Sequence, residues 1–264
     1  MIYWYSGTGN SRYAAERIAQ LTGDTELRFI PSELGIKPYD STKVFDSSND
    51  SDTIGFVFPV YSWGVPPVVL QMIERLDASN LKSKYLWAVL TCGDEAGRAA
   101  EMLCKAFQRK RLTLSAVFTL IMPNNYVMLP GFSTDSTELA SNKIHAAKER
   151  LTHIAEAIKK KEVITDIHHG PWPRLKTCLV YPLFKHFGVQ TKRWRVDTVK
   201  CISCGKCAAT CPAANISLTD GHPKWSKICF SCTACYHVCP RRAIDYGRFT
   251  KGKPQYFFKE LTEE

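Results

Sequence analysis

The chain opens on a short apolar run, Ile2-Tyr3-Trp4-Tyr5, which stops at Ser6-Gly7-Thr8-Gly9-Asn10-Ser11 and is followed by Tyr13, Ala14, Ile18 and Leu21 at helical spacing. This pattern predicts strand, loop and helix in that order. Further β-prone runs stand at 25–30, 54–59, 85–91 and 113–121, and helical stretches separate most of them. Val65 to Leu76 carries Pro66 and Pro67 in its first turn, and Gly97 to Lys110 puts Ala100, Leu103, Cys104 and Phe107 on one face. Strands that alternate with helices predict a parallel sheet. The stretch 31–53, rich in Ser, Asp and Pro, reads mainly as loop with one short helix. Beyond the fifth strand, Ser133 to Ser136 offers an N-cap, and Leu139, Ile144, Ala147, Leu151, Ile154 and Ile158 form the stripe of a long helix that ends on Lys159-Lys160-Lys161. Residues 162–195 hold Pro171, Pro173 and Pro182 among aromatic and basic residues and read as a connector. Its part from Leu175 to Phe187 is apolar enough to dock; packing on the first domain is expected, and a membrane-surface helix stays open.

The cysteines change the picture after position 200. Cys92, Cys104 and Cys178 are isolated, whereas the rest form two runs of C-x2-C-x2-C-x3-C-P: Cys201, Cys204, Cys207, Cys211, Pro212 and Cys229, Cys232, Cys235, Cys239, Pro240. Such clustering favours metal over disulfides. Structural zinc also uses C-x2-C pairs, but the third cysteine and the duplicated C-P count against it. Over about residues 196–246 the chain resembles the bacterial 2[4Fe-4S] ferredoxins. In that pattern the fourth cysteine of each run ligates the other cluster. One cluster would then use Cys201, Cys204, Cys207 and Cys239, and the other Cys229, Cys232, Cys235 and Cys211. Ile202, Ile216, Leu218, Trp225, Ile228 and Ile244 would shield them from water.

The loop Ser6 to Ser11 sits between a strand and a helix, so its backbone N–H groups and hydroxyls can surround a phosphate at a positive helix end. It contains neither a G-K-[ST] nor a G-x-G-x-x-G motif. In a doubly wound sheet of order 2-1-3-4-5, ligands bind at the switch between strands one and three. The loop after strand three, Pro59-Val60-Tyr61-Ser62-Trp63-Gly64, should therefore be functional, with two aromatics on which a flavin ring could stack; Trp63 could instead fill a core gap. The loop after strand four, with Thr91, Cys92, Gly93 and Asp94, would approach the ring from the other side. Residues 1–160 resemble the flavodoxin family, whose FMN phosphate loop Ser6 to Ser11 matches closely. The resemblance implies a five-stranded parallel sheet and a non-covalent FMN. Many flavodoxins place an aromatic in the strand-four loop and this chain has none there, so Asn125 and Tyr126, after strand five, are the candidates to cover that face. Cys92 reads as a small residue beside the ring rather than a nucleophile.

The order of the two parts resembles a family of fused flavodoxin/ferredoxin proteins, mostly assigned electron-transfer roles. The expected organisation is α/β: a flavodoxin-like domain over 1–160, a connector over 161–195, a small α+β 2[4Fe-4S] ferredoxin-like domain over 196–248 and a C-terminal tail over 249–264. The expected cofactors are two [4Fe-4S] clusters and FMN, and the expected function is electron transfer between them. The alternative is an FMN-dependent reductase of a small acceptor, a quinone, nitro compound or disulfide, fed by its own ferredoxin domain.

Charge is uneven. Residues 1–160 hold 18 Lys+Arg against 17 Asp+Glu, and residues 161–264 hold 17 against 8. Nucleic-acid binding through the basic region, with Trp172, Trp194 and Trp225 available to stack, competes with a simpler reading in which the cations neutralise anionic clusters and steer an acidic redox partner. No nucleic-acid partner is expected; a redox partner protein or a small electron acceptor is. No apolar run approaches the roughly 20 residues of a membrane span, and the N-terminus lacks the marks of a signal peptide, so a cytoplasmic location is expected.

Overall fold

The computed structural model describes residues 1–24, 26–38, 52–188 and 191–258. Most of the loop expected over 31–53, and the end of the tail expected over 249–264, lie outside the described residues. Strand β1 (Ile2–Trp4) lies between β2 (Leu27–Phe29) and β3 (Thr53–Pro59), and β4 (Tyr85–Cys92), β5 (Ala116–Ile121) and β6 (Ile164–Asp166) follow beyond β3, all parallel. The order is 2-1-3-4-5 as the flavodoxin-like reading requires, with a correction to the count: the sheet has six strands, not five. The sixth comes from the stretch read as a connector and pairs Ala116 with Ile164 through Phe118 with Asp166. Its three residues carry too little apolar alternation to announce a strand.

Around the sheet pack α1 (Asn10–Thr22), α2 (Ile30–Glu33), α3 (Pro67–Arg75), α4 (Ala99–Arg109) and α5 (Thr137–Lys159). The last starts where Ser136 Oγ accepts from the Leu139 backbone N–H at 3.2 Å. Strand β4 is buried along its whole length, the expected state of a central parallel strand covered on both faces. Because the strand order reverses at β1, the crossovers on either side of it run in opposite directions and leave a crevice beyond the carboxyl ends of β1 and β3.

An irregular helix then runs from Pro173 to Gly188, in which α6 (Pro173–Leu175) and α7 (Tyr181–Leu183) alternate with π-helical stretches Lys176–Val180 and Phe184–Gly188. It is held against the β3 loop: Thr177 Oγ1 donates to the Trp63 carbonyl at 2.7 Å, and Tyr181 Oη donates to the Val65 carbonyl at 2.5 Å.

The C-terminal part holds β7 (Trp194–Val196), α8 (Lys206–Thr210), β8 (Ile216–Thr219), β9 (His222–Trp225), α9 (Ala234–Val238) and β10 (Ile244–Tyr246). Strands β7 and β10 pair antiparallel, as do β8 and β9. Each cysteine of the second run follows its counterpart by 28 positions, and the fold repeats with the same offset: α8 maps onto α9, β7 onto the start of β9, and β8 onto β10. The backbone repeats too, with left-handed φ at Ser203 (53°) and Ser231 (54°), and at Ala214 (46°) and Arg242 (49°). Two short halves, each exposing one apolar side, form a single small core with Trp194, Ile216, Tyr236, Ile244 and Tyr246.

That core is not closed by its own residues. Val127 and Met128, from the β5–α5 loop, are buried in it. Residues 249–258, read as the start of a C-terminal tail, cross back over both parts. Lys253 Nζ donates to the carbonyls of Val127 (2.8 Å) and Leu129 (2.7 Å), Tyr256 Oη donates to Asn10 Oδ1 (2.7 Å), and the Phe258 N–H donates to the Thr8 carbonyl (2.8 Å). Phe258 stacks on Tyr13 of α1 with ring centroids 4.5 Å apart.

Gly55 in β3 sits opposite Trp87 in β4, and a Cβ there would lie 2.1 Å from the indole ring. Trp87 is fully buried and has no room to turn. Gly55→Ala is therefore expected to cost about 1–3 kcal/mol through overpacking, read as a lower urea midpoint with the slope unchanged.

Candidate cofactor sites

At the crevice beyond β1 and β3 lies a cavity of about 550 Å³. The loop between β1 and α1 forms one wall. Ser6 Oγ turns inward to accept from the Gly9 N–H at 3.1 Å, Thr8 Oγ1 accepts from Asn125 Nδ2 at 2.5 Å, and Ser11 Oγ lies 2.7 Å from Thr91 Oγ1. Asn10 bridges two other segments, donating from Nδ2 to the Pro123 carbonyl at 3.0 Å and accepting from Tyr256. These side chains fix the shape of the loop, and no side chain caps α1. What the loop can offer an anion is therefore chiefly backbone N–H groups at a positive helix end.

The β3 loop and the β4 loop form the facing walls. Every residue singled out there from sequence lines the cavity except Gly64, and in the first loop every one except Gly9: Ser6, Gly7, Thr8, Asn10, Ser11, Pro59, Val60, Tyr61, Trp63, Thr91, Cys92, Gly93 and Asp94 surround one space, together with Asn125 and Tyr126. Gly64 lies against the Tyr181 ring, and Gly9 against Phe258. Trp63 is braced: its Nε1 donates to Glu95 Oε1 at 2.7 Å, Glu95 pairs with Lys176, and Lys176 Nζ stands 5.3 Å from the indole centroid. Burial pushes the Cys92 thiol up to about 12, with Asp94 and Glu95 adding to the shift, so it is a neutral thiol rather than a nucleophile. Asp94 turns outward to Lys143 and Asn124. Leu129, Phe132, Val180 and Phe184 also line this space, as do Ser231, Cys232 and Thr233; none of these was read from sequence as part of it. Of these, the β5 loop had a visible signal in its Asn124-Asn125-Tyr126 run, whereas Cys232 enters only through the tertiary packing.

The cysteines gather in two crossed groups. Cys201, Cys204, Cys207 and Cys239 line one hollow, closed on its apolar side by Leu218 and Ile244. In the other group, burial raises the thiols of Cys229, Cys232 and Cys235, and each feels Cys211 of the first run as a further neighbour. Buried thiols so placed resist ionising until a metal takes up their charge. Among the described residues no three His, Cys, Asp or Glu side chains close on a single-ion site.

Backbone N–H groups reach cysteine sulfur, among them Asn215 to Cys211 Sγ (3.4 Å), Ser231 to Cys229 Sγ (3.3 Å) and Ala243 to Cys239 Sγ (3.3 Å). The indole Nε1 groups of Trp194 and Trp225 are buried without closing a bond of ordinary geometry. Each nevertheless lies close enough to a thiol to pull its pKa down, Trp194 at Cys229 and Trp225 at Cys235. Buried donors aimed at a ring of thiols and lacking an acceptor of their own fit a cluster whose sulfur would receive them. Lys37, from the sheet side, donates to the carbonyls of Ala209 and Cys211, the latter at 2.9 Å.

The cavity and the second cysteine group share a wall. A Cβ on Gly7 would stand 2.7 Å from Cys232 Cβ and 2.8 Å from its carbonyl oxygen, so only glycine lets the two loops touch. Beside that contact Tyr5 Oη and Tyr61 Oη lie 3.1 Å apart, and Tyr5 packs edge-on to Phe230, which is next to Cys229 in sequence. Burial drives both tyrosines well above their ordinary pKa; Tyr61 and Cys232 add to the shift at Tyr5, and Cys232 adds to it at Tyr61.

Residues 200–244 match the family described as a 4Fe-4S dicluster domain. With the sheet order above, the chain joins a flavodoxin-like fold to an iron-sulfur segment. No curated protein matches the chain. Among solved structures, the Trp repressor binding protein from Bacillus subtilis is 15% identical, with 58% of this chain and 96% of that one covered at a TM-score of 0.39. A flavodoxin of Streptococcus pneumonia TIGR4 is 18% identical over 61% and 97%, with a TM-score of 0.35. Rubredoxin oxygen:oxidoreductase from Desulfovibrio gigas is 14% identical with a TM-score of 0.38; this chain spans 36% of its length. Likenesses of this strength carry nothing about function.

His237 ties three pieces together. Its Nε2 lies 2.7 Å from the Asn125 carbonyl, and its Nδ1 accepts from the Tyr256 N–H at 3.1 Å. Burial lowers its pKa to about 4, so the ring is neutral, with the proton on Nε2. His237→Leu removes both bonds and is expected to cost roughly 2–3 kcal/mol and to open residues 249–258 to proteolysis; an unchanged digestion pattern contradicts this role.

Proposed function

We propose that this chain is an electron-transfer protein that holds two [4Fe-4S] clusters and a non-covalent FMN and passes electrons between them. The observation that carries the reading is the shared wall: Cys232 belongs to a largely buried group of four cysteines and also lines the cavity. Each cluster would exchange single electrons, while the flavin would hold one or two.

The protein's own part is positioning and shielding. Backbone N–H groups of Gly7, Thr8, Asn10 and Ser11 receive the phosphate, Trp63 and Tyr126 bound the space for the ring, and Trp194 and Trp225 keep water from the group formed by Cys211, Cys229, Cys232 and Cys235. The group of Cys201, Cys204, Cys207 and Cys239 faces outward, with Cys204 exposed, and would exchange electrons with a partner. A second reading, reduction of a small acceptor at the flavin, draws on the half-exposed apolar residues Leu129 (44%) and Phe132 (42%) at the cavity.

Anaerobic purification followed by analysis for iron, sulfide and flavin tests the proposal. About eight iron, eight sulfide and one flavin per chain are expected; zinc with neither iron nor flavin overturns it. Gly7→Ala, which forces the phosphate loop off Cys232, is expected to weaken flavin retention at least about tenfold, a loss on the order of 1.4 kcal/mol, measured by equilibrium dialysis. Cys211→Ser is expected to remove the cluster of the second run and Cys239→Ser that of the first, distinguishable by their separate reduction steps. Loss of the same-run cluster in either variant contradicts the crossed assignment.

A further inference from the structure

The irregular helix from Pro173 to Gly188 packs on the first domain through Thr177, Tyr181 and Phe184, which are buried. Its other side is unusual. Trp172 is 75% exposed, Leu175 56%, Leu179 54% and Leu183 49%, and Cys178 and Pro182 are exposed between them. Positions 175, 179 and 183 recur every four residues, so they form one stripe along the helix. Elsewhere on the described surface such large apolar side chains are exposed mostly singly or in the neighbourhood of the cysteine runs.

The charges that this segment itself carries have one sign. Between residues 167 and 196 the sequence holds Arg174, Lys176, Lys185, Lys192, Arg193 and Arg195 and no Asp or Glu. Arg174 and Lys185 are exposed at either end of the stripe, and Lys192, Arg193 and Arg195 are exposed just beyond it. An apolar stripe headed by a tryptophan and bordered by cations, with the nearby Glu95 already paired to Lys176, has the make-up of a helix that lies in the plane of a membrane surface. No helix of the described residues is long and apolar enough to cross a bilayer, so the contact would be peripheral.

We propose that Trp172, Leu175, Leu179 and Leu183 form a docking face for an anionic lipid surface, with Arg174 and Lys185 drawing it toward the headgroups. An acidic protein would also meet the cations; a tryptophan at the head of a leucine row, flanked by cations, favours the headgroup region of a lipid surface. The inference does not depend on the flavin reading, although it gains a consequence from it. Val180 and Phe184 of the same helix line the cavity, so docking would hold that cavity within about one helix diameter, ~10 Å, of the lipid.

The test uses the anaerobically purified full chain and co-sedimentation with vesicles of phosphatidylcholine alone or mixed with phosphatidylglycerol. The wild type is expected to sediment with the anionic vesicles, to remain in solution with the neutral ones, and to be released as sodium chloride rises from about 0.1 M to about 0.5 M. Leu175→Gln/Leu179→Gln/Leu183→Gln, all at exposed positions, is expected to keep the wild-type circular dichroism and to lose at least about tenfold in vesicle partitioning. Arg174→Glu/Lys185→Glu, which leaves the apolar row intact, is expected to lose binding to the anionic vesicles as well. The proposal is overturned if the wild type stays in solution with both vesicle types, in which case the face serves a protein partner. It is overturned equally if binding ignores lipid charge, or if both variants sediment like the wild type. Because the readout is sedimentation, failure here leaves the cofactor content untouched, and absence of flavin or iron would not by itself prevent docking.

Discussion

Two loops that lie far apart in sequence touch where Gly7 meets Cys232, and the arrangement of the whole molecule follows from keeping that contact closed. No side chain fits between them, since a single added carbon at Gly7 would stand 2.7 Å from Cys232 Cβ. Around the contact the chain is stitched from several directions. Lys37 reaches from beyond β2 to the Cys211 carbonyl, Val127 and Met128 are buried in the small C-terminal core, and His237 holds the Asn125 carbonyl on one side and the Tyr256 N–H on the other. Residues 249–258 then cross the loop Ser6 to Ser11, and Phe258 stacks on Tyr13. A small domain built round two cysteine groups has little core of its own. Here the deficit is met by packing it against the sheet, which also fixes the distance from one cysteine group to the cavity.

The 28-residue repeat is close in backbone and unequal in environment. The position equivalent to Trp194 is His222, and the position equivalent to Trp225 is Lys253, which is engaged with the Val127 and Leu129 carbonyls. Among the described residues, only the group of Cys211, Cys229, Cys232 and Cys235 therefore receives two buried indole N–H groups. The other group keeps Cys204 exposed, with Ile202 58% exposed beside it. Hydrogen bonds and solvent exposure both shift cluster potentials. The halves would differ in potential and access although their ligands are the same, one facing the cavity and the other facing solvent.

What could be read from sequence was what is local. The cysteine spacing, the Gly-rich turn between a strand and a helix, and the alternation that gives a parallel sheet are each written within a few tens of residues, whereas the order 2-1-3-4-5 came from the resemblance to flavodoxins. The edge strand β6 was missed because Ile164–Asp166 is short and half exposed, and takes its identity from pairing with β5. The return of residues 249–258 was missed because it is held by scattered contacts of Lys253, Gln255, Tyr256 and Phe258, with no apolar period to mark it. Trp63 was legible as a residue of the cavity, but its brace of Glu95 and Lys176 was not, since Lys176 comes from a connector expected to pack on the first domain at a point that pattern alone does not give.

The central claim is that the cysteine group containing Cys232 and the cavity form one electron path within a single chain. Its most direct test is rapid reduction of the anaerobic protein by a one-electron donor, followed at the cluster and flavin absorption bands over a range of protein concentrations. Flavin bleaching is expected to follow cluster bleaching at a rate that does not change with protein concentration. A rate that rises in proportion to concentration, or a flavin that stays oxidised while both clusters are reduced, contradicts the account.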